Sequence, residues 1–167
     1  MTYILSPVQG RTIQEVGGKA ARLATLRSAG FSIPDWFVLS ARAFEVSLTE
    51  ADRTSLAAAA HGTGGLSLLF NVRLSAEVCV DLVQALRSLC PGGERVAVRS
   101  SGFDEDDPHH SFAGQYATIL SVRPEQVAEQ VATVWRSGFS EQVVAYRRAH
   151  DLPFPTQIGR ASCRERV

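Results

Sequence analysis

Lysine is nearly missing from this sequence: the 17 basic residues are all arginine except Lys19. Cysteine is also scarce. Cys79, Cys90 and Cys163 are odd in number, far apart and without a CxxC pair, which excludes a disulfide framework and a zinc site of the usual spacing. Cys79 and Cys90 fall in an apolar helical stretch and are expected to be buried, inert thiols. Net charge is absent, with 17 acidic residues against 17 basic ones, so no global field draws the chain to nucleic acid or to an anionic membrane. Long apolar runs are absent too. Leu66 to Phe70, interrupted by Ser67, falls far short of the roughly 20 residues that span a bilayer. The opening residues Met1 to Pro7 carry neither a basic nor an apolar targeting segment, so the cytoplasm is the expected compartment. The GxxxxGK[ST] phosphate-loop spacing occurs nowhere.

What is present suits a soluble globular chain: 45% hydrophobic and 20% charged residues over a length of 167, enough for one domain or one domain and part of another. Gly17-Gly18 breaks structure ahead of a helix with Ala20, Leu23, Ala24 and Leu26 on its apolar side and Gly30 as its stop. Trp36 to Leu39 reads as a short strand after Pro34. Helices are expected over 41–48 and 50–60, with a loop over 61–65. Ser75 is placed to cap a helix through Leu89 with Val78, Leu82, Leu86 and Leu89 on one face. Arg95 to Ser100 alternates small apolar and polar residues as a strand does, and an acidic loop follows. A strand or hairpin is expected over 111–122. Pro124 then opens a helix to Ser137, and Ser140 caps another ending near His150. Residues 158–167 change character, with three arginines and a cysteine but no apolar periodicity. They are set apart from residues 1–157 as a tail of the kind left by cloning or adaptor read-through.

Three separated segments carry chemistry. Gly17-Gly18-Lys19 joins exposed N–H groups, a positive helix end and an ammonium, a combination that favours phosphate. Gly-Gly-Lys triplets are common, so this signal alone is weak. Arg99-Ser100-Ser101-Gly102 puts a guanidinium and two hydroxyls at a strand end, where they can hold phosphate. The competing reading is a surface ion pair from Arg99 to Asp104 or Glu105. In the segment 111–118, Gly114 permits close backbone approach while Gln115 and Thr118 offer polar groups. An ordinary hairpin would look the same.

Together these segments resemble a known family. Val-Ala-Val-Arg-Ser-Ser-Gly-Phe-Asp-Glu-Asp-Asp-Pro-His-His-Ser-Phe-Ala-Gly-Gln-Tyr is similar, without gaps, to VAVRSSxxxEDxPxxSFAGQ. That pattern marks the ATP-binding domain of phosphoenolpyruvate synthases, pyruvate phosphate dikinases, rifamycin phosphotransferases and glucan/water dikinases. Val-Gly-Gly-Lys-Ala-Ala-Arg-Leu resembles GGKxxxL, Gly30 to Ser40 resembles the segment ending GFV(I/L)(T/S), and Trp135 to Arg147 resembles WxSxFSxxAxxYR. The matches run over about residues 13–150.

The resemblance implies an α+β fold, one half of an ATP-grasp domain with helices on a small, mostly antiparallel sheet. It implies that Lys19 and Arg99 contact ATP phosphates and that Gly114 and Thr118 belong to a loop closing on the nucleotide, with Gln115, Ser100 and Ser101 as second-rank ligands. Glu105 and Asp106 match the family's acidic pair, which is assigned to ordering the loop. Magnesium ligands, the phosphohistidine and the pyruvate site are expected in segments beyond this sequence, so the sequence offers no catalytic or metal residue of its own. None of His61, His109, His110 and His150 matches the family's histidine. Two departures stand out: Ala20 and Trp36 replace the family's usual glycines. The expected parent activity is transfer of an ATP phosphate through a phosphohistidine to pyruvate. The alternatives are another acceptor, a rifamycin or a glucan, or a non-catalytic nucleotide-binding piece.

Overall fold

The computed structural model describes residues 2–6, 13–61, 71–101, 116–154 and 161–165. Five strands form one sheet in the order β1-β2-β5-β3-β4, and every neighbouring pair is antiparallel. They are β1 (Ile4–Leu5), β2 (Trp36–Leu39), β3 (Val96–Ser100), β4 (Thr118–Val122) and β5 (Ala161–Glu165). Because β5 runs antiparallel to both β2 and β3, those two strands run parallel to each other, one strand apart. This is the α+β architecture expected from the sequence.

Alternation along the strands sorts residues onto two faces. Phe37, Leu39, Val96, Val98 and Val122 join the larger core. The helices α5 (Ala76–Leu89) and α6 (Val127–Ser137) supply Val78, Leu82, Leu86, Leu89, Val127, Val131, Val134 and Trp135 to the same core. In α5 the Ser75 hydroxyl accepts from the Val78 N–H at 3.4 Å, as a capping serine should. Trp135 meets the Phe44 ring edge-on at 5.3 Å, and Phe44 stacks on Phe139 at 5.6 Å. Phe44 comes from α3 (Ala41–Ser47). The next helix, α4 (Glu50–Ala60), begins with a reciprocal cap: the Asp52 N–H donates to the Thr49 hydroxyl at 3.1 Å, and the Thr49 N–H donates to the Asp52 carboxylate at 2.8 Å. After a 3-10 turn at Pro124–Gln126 comes α6, then α7 (Glu141–Ala149), whose Ser140 hydroxyl accepts from the Val143 N–H.

The opposite face is smaller. Val16, at the end of α1 (Ile13–Val16), and Ala20, in α2 (Gly18–Ser28), pack with Trp36 and Val38 of β2. Trp36 is 2% exposed and is part of this cluster.

Two expectations change. Leu26 is 43% exposed rather than inward, while Ala20, Leu23 and Ala24 make the contact of α2 with the sheet. Cys90 is buried as expected, but Cys79 is only half-buried. Residues 161–165 form β5, which pairs over four residues with β2 and five with β3. Strand pairing uses backbone groups that every residue but proline carries, so it leaves no apolar period to read. The acidic loop and the first half of the 111–122 segment lie outside the described residues.

Candidate functional site

The second face of the sheet carries Arg99, one of the charged residues singled out above. Cross-strand partners share a face, and the register Val38↔Ser162, Ser162↔Arg99 and Arg99↔Thr118 forms one row across four strands. Arg99 and Thr118 are therefore direct neighbours on the face that carries α1 and α2. Thr118 is exposed and Arg99 is half-buried. The Arg99 Nε is buried without a hydrogen-bond partner.

Lys19 lies in the first turn of α2. Gly17 is the N-cap residue, with φ 81° and no side chain to satisfy the first-turn N–H groups. Gly17 lies directly against the end of β3: an added Cβ would overlap the Ser101 carbonyl oxygen and come within 2.5 Å of the Ser101 Oγ. The Ser101 hydroxyl donates to the Val16 carbonyl at 2.8 Å, a buried bond between residues 85 apart. Arg99 stands two residues before this junction and Lys19 two residues after Gly17. At about 3.3 Å per strand residue, the Arg99 Cα is about 7 Å from that of Ser101.

The structure thus sets Arg99 beside Thr118 across two strands, and it sets Gly17, two residues before Lys19, against Ser101 at the end of β3. Ser100 and Ser101, at 1% and 0% exposure, are inside rather than on the surface. Gly114 and Gln115 lie outside the described residues, as do Glu105 and Asp106. The link from Ser101 to Val16 was not legible beforehand, because nothing in either local sequence points to the other.

Other features lie elsewhere. A cavity of about 290 Å³ between the ends of α4 and α7 is lined by Arg147, Arg148 and Phe154 among others, and a groove of about 460 Å³ runs beside β1 and α5. Neither is lined by Lys19, Arg99 or Thr118. The Tyr3 hydroxyl donates to Glu77 at 2.8 Å, and that bond pushes its pKa upward, while burial does the same for Cys79. Both belong to the α5 side. Among the described residues no group of three or more His, Cys, Asp or Glu side chains gathers as a metal site, and no helix is long and apolar enough to cross a membrane.

A prodigiosin-synthesizing transferase, PigC, of Serratia marcescens is 36% identical over 137 residues, covering 80% of this chain and 15% of the relative. A rifampicin phosphotransferase of a Streptomyces species is 36% identical over 158 residues, covering 86% of this chain and 18% of the relative. A phosphoenolpyruvate synthase of Aeropyrum pernix is 31% identical over 163 residues, covering 86% and 20%. The chain thus spans a fifth or less of the length of these three relatives. The family model for the pyruvate phosphate dikinase AMP/ATP-binding domain matches residues 13–159. With that match over most of its length, the chain belongs to the pyruvate phosphate dikinase AMP/ATP-binding domain family.

Proposed function

We propose that this chain is the phosphate-gripping half of an ATP site in a larger phosphotransferase. The observation that carries the reading is the junction of the α2 start with the end of β3, two residues from Lys19 on one side and two from Arg99 on the other. Lys19 supplies a compact point charge, Arg99 a planar donor fork, and the uncapped first turn of α2 its backbone N–H groups. The Arg99 Nε, buried with no acceptor, is a donor prepared for a ligand oxygen. Thr118, exposed beside Arg99, offers a hydroxyl at the rim, where Gly114 and Gln115 would continue as a closing loop.

Magnesium would neutralise charge on the transferring phosphoryl group. The described residues show no carboxylate set that fits it, so its ligands are assigned to an ATP-grasp partner half outside this sequence. What these residues do themselves is hold and orient the triphosphate. For the whole protein we favour passage of an ATP phosphate through a phosphohistidine to pyruvate, in the cytoplasm, on the strength of the phosphoenolpyruvate synthase relatives. The rifampicin phosphotransferase relatives support a second reading, with an antibiotic as acceptor. The acceptor would bind domains that this chain does not contain, and a glucan acceptor or a purely nucleotide-binding role would use the same half.

Isothermal titration of the chain with ATP tests the core of the reading. Weak binding without added magnesium is expected, together with weaker but measurable binding in Lys19→Ala and no ATP turnover. Equal heats for the two proteins would remove Lys19 from the site, and measurable hydrolysis by the chain would contradict the assignment of catalysis to other segments.

A further inference from the structure

Ser101 is an odd candidate for a ligand. Its side chain has no exposed surface, and its hydroxyl proton is committed to the Val16 carbonyl at 2.8 Å. Val16 is the last residue of α1, so its carbonyl is one of the helix-end acceptors that lack an intrahelical partner. A serine from the end of β3 thereby closes α1 at the residue before Gly17. On the other side of that bond Gly17 adopts φ 81° and leaves no room for a Cβ against Ser101. The two contacts act at one point and fix the α1–α2 junction to the β3 end from above and below.

That point is placed between the two charges. The apolar cluster holding α2 consists of Val16, Ala20, Trp36 and Val38, which tie the helix to β2 but not to β3. Arg99 belongs to β3. The Ser101–Val16–Gly17 contacts are direct ties between the α1–α2 junction and the end of β3, additional to the core packing on β2. An anion bridging two cations is sensitive to their separation, since a small misplacement weakens both contacts together.

We propose that Ser101 and Gly17 are positioning residues of the triphosphate site: they set the spacing of Lys19 and Arg99 and do not themselves touch the nucleotide. This rests on the ATP-phosphate reading above and replaces a ligand role for Ser101 with an indirect one. The serine acts through Lys19, so its contribution should vanish where Lys19 has nothing to offer.

A double-mutant cycle on the full chain tests this, with ATP affinity read by titration calorimetry well below the unfolding transition of each variant. Ser101→Ala is expected to weaken ATP about tenfold, but less than about threefold when introduced into Lys19→Ala, because coupled residues are not additive. Tenfold losses in both backgrounds would show that Ser101 acts independently of Lys19, as a direct ligand does, and would overturn the proposal. Unchanged affinity in Ser101→Ala would overturn it as well, leaving the bond a fold contact only. Should Ser101→Ala fail to fold, Ser101→Cys keeps a weak donor of similar shape, and the same cycle applies with a smaller expected loss. If the unmodified chain and Lys19→Ala give identical heats, the ATP reading itself falls, and this inference with it. If Lys19→Ala weakens binding while Ser101→Ala costs the same factor in both backgrounds, this inference falls alone.

Discussion

Replacing Arg99 with methionine should push stability and binding in opposite directions. The Arg99 Nε is buried without a partner, and a buried donor left unpaired costs about 1–3 kcal/mol. Methionine keeps the length and apolar stem of the side chain and discards the donor. Since Arg99 as a whole is only half-buried, the lower part of that range applies, and the ligand-free chain should gain about 1–2 kcal/mol. For a chain of this size that corresponds to a rise in Tm of roughly 2–8 °C. ATP affinity should fall meanwhile by about tenfold to a hundredfold, the worth of a charge-assisted bond to a phosphate oxygen. Scanning calorimetry gives the first quantity and titration with ATP the second. A stabilised variant with unaltered affinity would disprove the role given to Arg99 in binding. A destabilised one would show that its guanidinium holds the fold together, and the idea of a donor kept waiting for its ligand would fail.

Further expectations concern the frame of the site. Trp135→Ala should cost about 3–5 kcal/mol in urea denaturation followed by circular dichroism, since the indole is fully buried and meets Phe44 edge-on at 5.3 Å. Thr49→Ala removes the reciprocal cap with Asp52 at the start of α4 and should cost about 1 kcal/mol by the same measurement. Burial pushes the Cys79 thiol above its ordinary value of 9.0, so the folded chain keeps that proton to higher pH than the unfolded chain. Its contribution to stability is complete below that value and is lost as pH rises through the folded pKa. In a Cys163→Ser background, iodoacetamide should modify Cys79 more slowly at pH 8 than it modifies a free thiol, and equal rates would refute this.

Local chemistry made much of the fold legible in advance. The boundaries of β2 and the inward face of α5 follow from four apolar strand residues and a serine followed by Val78, Leu82, Leu86 and Leu89. Such signals work because propensity, capping and burial agree over one short window. Lys19 and Arg99 could be named for the same reason, each having its own glycine or strand context. What no local signal carries is the Ser101–Val16 bond, which joins the two segments across 85 residues. The membership of 161–165 in the sheet was equally hidden, because backbone pairing imposes no side-chain pattern on the strand that performs it. Leu26 tells the reverse story: placed on the apolar side of α2 by the sequence, it is exposed, as are Phe31 and Leu120.

The position of the sole lysine has a practical consequence. A lysine-specific endoprotease finds a single peptide bond to cut, after Lys19 in the first turn of α2. Cleavage there requires that turn to unwind, so the rate at which the intact chain disappears reports the opening free energy of one helix end, free of background from any other site. Anything that seats itself on that turn should protect the bond in proportion to its occupancy.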